Sequence, residues 1–123
     1  MSITFPFTIT KPPLKKGERW AGIVTTDKGL HHVILLSGDQ AEATWKKQLA
    51  WAKKAGGDLP DRQELALLRV MLPDEFKPDW YWSGERHAAY PDFAWYQLFS
   101  YGYQYDYTIY GKLRARAVRR LTI

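Results

Sequence analysis

Cysteine is absent from the chain, which excludes disulfide bonds, thiolate nucleophiles and cysteine-based zinc centres. Long apolar runs are missing too. No stretch approaches the ~20 consecutive residues of a membrane-spanning helix, and the N-terminus has no charged segment leading into an apolar signal core. These absences predict a soluble protein without membrane insertion, cytosolic or virion-associated rather than disulfide-stapled and secreted. The common signatures of catalysis are also lacking. There is no Gly-rich phosphate loop, no His/Glu metal spacing and no nucleophile elbow, and Ser83 has no strand-turn-helix glycine context. Neither a metal nor a cofactor is expected.

Acidic residues are missing from one end. Lys and Arg number 18 against 13 Asp and Glu, and Lys112, Arg114, Arg116, Arg119 and Arg120 all fall in the last 13 residues without an acidic neighbour. Removing those five leaves 13 against 13, so the net charge of +5 belongs to the C-terminal strand. With 123 residues the chain fits one domain, residues 1–123, able to bury roughly 65–70% of its unfolded surface. Three sections are legible: an N-terminal strand and hairpin over 1–38, two helices over 39–72, and Trp/Tyr-rich strands and loops over 73–123.

The stretch Gly56-Gly57-Asp58-Leu59-Pro60-Asp61-Arg62-Gln63-Glu64-Leu65 reads as the joint between the helices. Gly56 and Gly57 can take the left-handed conformation that ends a helix, and Pro60 prevents its continuation. Asp61 and Glu64 have the spacing of a capping box, which starts the next helix. The first helix is expected over Gln40–Ala55, with Ala41, Trp45, Gln48, Leu49, Ala52 and Ala55 inward and Lys46, Lys47, Lys53 and Lys54 in water. The second is expected over Arg62–Leu72. Leu65, Leu68 and Leu72 form its stripe, and Leu67, Val70 and Met71 widen it, so burial on most sides is expected.

Strands flank the helices. Ile3–Ile9 alternates apart from Pro6, which confines it to a sheet edge; such an edge invites pairing, but no oligomeric state is selected. Arg19–Thr26 and Leu30–Leu36, joined by Asp27-Lys28-Gly29, read as a hairpin. His31 and His32 are adjacent in its second strand and point to opposite faces, so they cannot share a ligand. After the Pro73–Asp79 loop, Trp80–Ser83 and Phe93–Phe99 read as strands. Trp20, Trp45, Trp82 and Trp95 are better explained as core, and Tyr81 and Tyr96 as parts of the fold.

Tyr101, Tyr103, Tyr105 and Tyr107 alternate and would line one face of an extended strand, with Tyr110 close behind. Burying four hydroxyls in seven residues would require four partners, whereas tyrosine at a surface supplies broad contact area at low rotamer entropy. The expectation is therefore a non-enzymatic binding face of Tyr101, Tyr103, Tyr105, Tyr107 and Tyr110, with Arg86 and His87 at its rim and a protein or surface glycan as ligand. The alternative is a polyanion site for nucleic acid or a sulfated glycan at Lys112, Arg114, Arg116 and Arg120; against it, internal pairing is expected for at least Arg116 and Arg119. A third reading draws an acid–base site from Glu85, Arg86, His87 and Asp92 in the Gly84–Asp92 loop.

From Trp45 onward the order of signals resembles the Lcl-type C-terminal domain family of unknown function, which occurs in bacterial surface proteins and in phage and prophage proteins. Trp45 with Ala52 carries the resemblance, followed by Leu59-Pro60-Asp61-Arg62-Gln63-Glu64-Leu65, Tyr81-Trp82-Ser83, Ala94-Trp95, Phe99, Gly102 and Val118-Arg119. It spans about two-thirds of the chain. The Arg114–Arg120 ending is similar to that of phage members. The resemblance implies a C-type-lectin-like α+β fold, two helices on small twisted antiparallel sheets, in the host cytoplasm or on a virion, with the late strands as ligand face. The chain departs from the pattern in lacking a cysteine pair that many relatives carry. It also lacks the calcium-binding triplets of sugar-binding C-type lectins and the cysteine chemistry of formylglycine-generating enzymes.

Overall fold

Why two sheets form is already visible in the strand pairings. Arg19–Thr26 (β1) and Gly29–Leu35 (β2) pair as an antiparallel hairpin. Gly29, at φ +110°, already pairs with Thr26, so the loop is only Asp27-Lys28, one residue tighter than the sequence reading. The last strand, Val118–Thr122 (β8), pairs with β2, which gives a three-stranded sheet in the order β1-β2-β8. The computed structural model describes residues 9–123; the expected edge strand at Ile3–Ile9 lies, except for its last residue, outside them.

The second sheet has five strands. Gln40–Ala43 (β3), Trp80–Arg86 (β4), Phe93–Leu98 (β5), Gln104–Thr108 (β6) and Leu113–Ala115 (β7) lie in the order β3-β7-β4-β5-β6. All its pairings are antiparallel except β4 with β7, where Tyr81 meets Arg114 in a parallel register. The protein is an α+β domain of two helices with two open, mostly antiparallel sheets. Arg116 and Ala117 carry the chain from one sheet to the other.

The first helix, α1, is Trp45–Lys54, five residues shorter at its start than the periodicity predicts. Gln40–Ala43 is helix-compatible by propensity, yet it pairs with β7 (Gln40 with Ala115, Ala43 with Leu113), and that distant partner decides its conformation. The second helix, α2, is Arg62–Met71 and starts with the complete capping box. Asp61 accepts from the Glu64 N–H at 2.8 Å, and Glu64 accepts from the Asp61 N–H at 2.9 Å. Its stripe is narrower than expected, because Val70 and Met71 are exposed.

Each helix covers its own section of core. Trp45 and Ala52 of α1 pack with Trp82, Ala94, Ile109, Leu113 and Ala115. Leu68 and Leu72 close on Ala21, Val24, Val33, Leu35 and Val118, while Leu65 meets Tyr81 and Phe99. The Tyr81 side chain is fully buried, as its assignment to the fold requires. Its hydroxyl donates to Asp39 at 2.6 Å and accepts from the Lys77 N–H at 3.0 Å, and burial pushes its pKa up to about 12. Among the described residues no helix is long and apolar enough to cross a membrane.

Candidate functional site

Strand register decides which aromatics share a surface. Residues opposite one another in an antiparallel pair project to the same side, so Trp82, Tyr96 and Tyr105 form one cross-strand row. Alternation along each strand adds Trp80 from β4 and Tyr107 from β6 to that side. Tyr81, Trp95, Gln97, Gln104 and Asp106 project to the other side, toward α2. There the Gln104 side chain donates to the Arg62 carbonyl and to Gln97 Oε1, both at 2.8 Å. The sheet thus has one face bound to α2, and one aromatic face on which α1 packs at the β3-β7-β4 end.

All five tyrosines of the sequence reading are exposed, from 42% at Tyr103 to 82% at Tyr101. Tyr103 and Tyr105 touch edge to face at 5.1 Å, and Tyr107 meets Tyr96 at 6.5 Å with the rings at 88°. Tyr107 lies so close over Gly111 that a Cβ there would come within 2.1 Å of its ring. Tyr101 and Tyr110 sit in the turns on either side of β6. Burial, then the neighbouring phenols and Asp106, raises the pKa of Tyr96. The Tyr96 phenol therefore remains a neutral donor at physiological pH.

A cleft of about 290 Å³ opens on this face between β3, the start of β4, β5, β6 and the β6–β7 turn. Glu42, Asp79, Trp80, Tyr96, Tyr107, Lys112 and Leu113 line it. Of the expected contact tyrosines only Tyr107 reaches it. Trp80 and Tyr96 were not singled out as ligand contacts from the sequence. The sequence marks Trp80 only as the first residue of a Trp-Tyr-Trp-Ser run, and the tertiary pairing is what places Glu42 and Lys112 beside it.

Arg86 and His87 part company. The Arg86 guanidinium lies 5.1 Å from the Trp45 ring, on the α1 side. The His87 ring stacks on Trp95 at 5.1 Å and 15°, the Arg62 guanidinium lies over the same indole at 4.2 Å, and Asp106 Oδ2 is 3.7 Å from His87 Nε2. His87 therefore belongs with the α2-facing side chains and not with the tyrosine rim. Its Nδ1 accepts from the Ala89 and Tyr90 N–H groups at 3.0 and 3.2 Å, which shapes the loop. Glu85 is likewise engaged, accepting from the Arg62 backbone at 2.8 Å and side chain at 3.1 Å. Gly84 and Glu85, which belong to β4 and not to a loop, line a second cavity, of about 470 Å³, beside the helix joint.

The C-terminal arginines are bound within the domain. Arg114 donates to Asp39 at 3.1 Å, and Arg119 reaches both Glu18 oxygens at 2.9 Å. Arg116, 5% exposed, donates to the Glu75 and Leu36 carbonyls, pairs with the Glu75 carboxylate and covers the Phe76 ring. Arg120 pairs with Glu64 and Asp58. Of the four polyanion residues only Lys112 is left without an ion pair among the described residues, so these side chains form a structural network and not a common basic surface. Compared with known proteins, the chain matches no family model and no curated sequence.

Proposed function

We propose that this chain is a non-enzymatic recognition module of a phage or prophage protein, built on a C-type-lectin-like arrangement, that binds a protein or surface glycan through its aromatic sheet face. The observation that carries this reading is the exposure of Tyr101, Tyr103, Tyr105, Tyr107 and Tyr110 together, with no hydrogen-bond partner for any of the five hydroxyls among the described residues. Contiguous exposed aromatics of this kind mark interaction surfaces, because they offer large desolvation on contact at little entropic cost. The phage assignment draws on the resemblance of the Leu59–Leu65, Tyr81–Ser83 and Val118–Arg119 segments. The succession of strands, two helices and strands agrees with it.

The test is binding of the fluorescently labelled chain to bacterial cells and to immobilised envelope fractions. Tyr103→Ala/Tyr105→Ala should reduce binding by about tenfold or more while leaving the melting temperature nearly unchanged, since both rings are exposed. Undiminished binding by a folded double variant would remove the tyrosine face from the assignment.

A further inference from the structure

The cleft beside the tyrosine face has a chemistry that narrows the ligand. We propose that it holds one neutral pyranose residue of a glycan, with Trp80 as the stacking platform and Glu42, Asp79 and Lys112 as hydroxyl contacts. This rests on the recognition reading above and names the ligand for part of that face.

Size is the first argument. At about 290 Å³ the cleft lies at the small end of ligand sites, which suits a single ring better than a length of peptide. Shape is the second. Trp80 is 43% exposed, and Tyr96 and Tyr107 stand at 88° to one another, so the walls offer flat apolar surfaces in two orientations. A pyranose carries an axial C–H surface whose slight positive charge is drawn to the negative face of an aromatic ring, while its equatorial hydroxyls project to the side. Leu113, buried, closes the cleft on apolar contact.

Charge decides between ligand classes. Glu42 and Lys112 carry no ion pair among the described residues, and Asp79 uses Oδ1 to accept from the Trp80 N–H at 2.8 Å, leaving Oδ2 free. An anion would meet two carboxylates, and a cation drawn to those carboxylates would also meet the Lys112 ammonium. Vicinal hydroxyls satisfy both signs together, donating to the carboxylates and accepting from the ammonium. Among the described residues no group of three or more His, Asp or Glu is placed to hold a metal ion, and the proposed contacts to the hydroxyls are made directly by the side chains of the cleft.

Methyl glycosides of glucose, galactose, mannose and N-acetylglucosamine, titrated onto the full chain, supply the test by saturation-transfer NMR and indole fluorescence. At least one should bind with a Kd on the order of 1 mM, unaffected by EDTA. Trp80→Ala and Glu42→Gln should each weaken it about tenfold, and Val70→Ala, on the exposed side of α2 and outside the cleft, should not. Thermal melts establish that each variant is folded. Saturation transfer from none of the four glycosides, binding that survives Trp80→Ala, loss of binding in EDTA, or preference for tetramethylammonium would each overturn the proposal. Cell binding that depends on Tyr103 and Tyr105 without any glycoside binding sinks the sugar assignment alone. Glycoside binding alongside tyrosine-independent cell binding sinks the face and leaves the cleft.

Discussion

Arg120 holds Glu64 by both carboxylate oxygens, Nε to Oε2 at 2.7 Å and Nη2 to Oε1 at 2.6 Å. Glu64 is completely buried and serves two elements at once, because it also closes the capping box of α2 and meets His31 Nε2 at 3.0 Å. Burial pushes its carboxyl up, but the Arg120 and Asp61 hydrogen bonds outweigh that and hold it below its ordinary value.

Removing Arg120 leaves a buried carboxylate without its main counter-charge, so Arg120→Ala should lower unfolding stability by about 3 kcal/mol or more. Glu64→Gln should cost less, about 1–2 kcal/mol, since Arg120 still has Asp58 and partial access to water. Urea unfolding of the two variants checks the order. Equal losses would mean that the charge pair is not what the site depends on.

Acid should unfold the protein in a window set by its paired carboxylates. The Arg119 hydrogen bonds bring Glu18 from its ordinary 4.5 down to about 2, and Glu64 is lowered too. A carboxylate lowered in the folded state contributes stability that is complete above its unfolded value and is lost as pH falls through the folded one. Stability should therefore decline below about pH 4.5 and continue to fall toward pH 2. Asp61, raised by burial, acts in the opposite sense over its own range and moderates the start of the decline. Urea midpoints between neutral and acid pH should show this slope, and Arg119→Ala should flatten it by releasing Glu18.

The two glycines of the helix joint should respond differently to alanine. Gly56, at φ +93°, has open space around its missing Cβ, so Gly56→Ala should cost about 1–2 kcal/mol of backbone strain. A Cβ on Gly57 would lie 2.2 Å from the Val118 carbonyl oxygen and 2.9 Å from a Leu36 methyl, where the Asp58–Val118 bridge fastens the joint to β8. Gly57→Ala should cost more than Gly56→Ala and reach the upper part of the roughly 1–3 kcal/mol range of overpacking. Differential unfolding of the two variants decides it.

His87→Ala should loosen its loop without touching the tyrosine face. The Ala89 and Tyr90 amides lose their acceptor, and Trp95 loses one of its two stacking partners. Hydrogen exchange at those two amides should rise and Trp95 fluorescence should change, with cell binding preserved. Loss of cell binding would place His87 back at the recognition surface.

Retention on heparin should depend on lysines, not on the C-terminal arginines. Lys46, Lys47 and Lys54 on α1 are exposed and carry no ion pair among the described residues, whereas Arg114, Arg116, Arg119 and Arg120 are all paired. Lys46→Gln/Lys47→Gln should lower the eluting salt concentration, in keeping with counter-ion release. Arg114→Gln should lower the melting temperature and leave elution where it was. The reverse pattern would restore the polyanion reading.

Local chemistry by itself determined much of this domain. The capping box at Asp61 and Glu64, the left-handed stop at Gly56, the hairpin around Asp27-Lys28 and the outward tyrosines all follow from short-range rules of dihedral angle, capping and hydroxyl satisfaction. Those rules act within a few residues, so the chain order alone displays them. Tertiary structure decided the rest. Gln40–Ala43 became a strand because β7, far along the chain, offers it a ladder, and the charged C-terminal strand became interior wiring because Glu18, Asp39, Glu64 and Glu75 converge on it. The cleft belongs to the same class. Glu42, Trp80, Tyr96, Tyr107 and Lys112 come from separate strands and turns, and only sheet register, which no local pattern encodes, makes them neighbours.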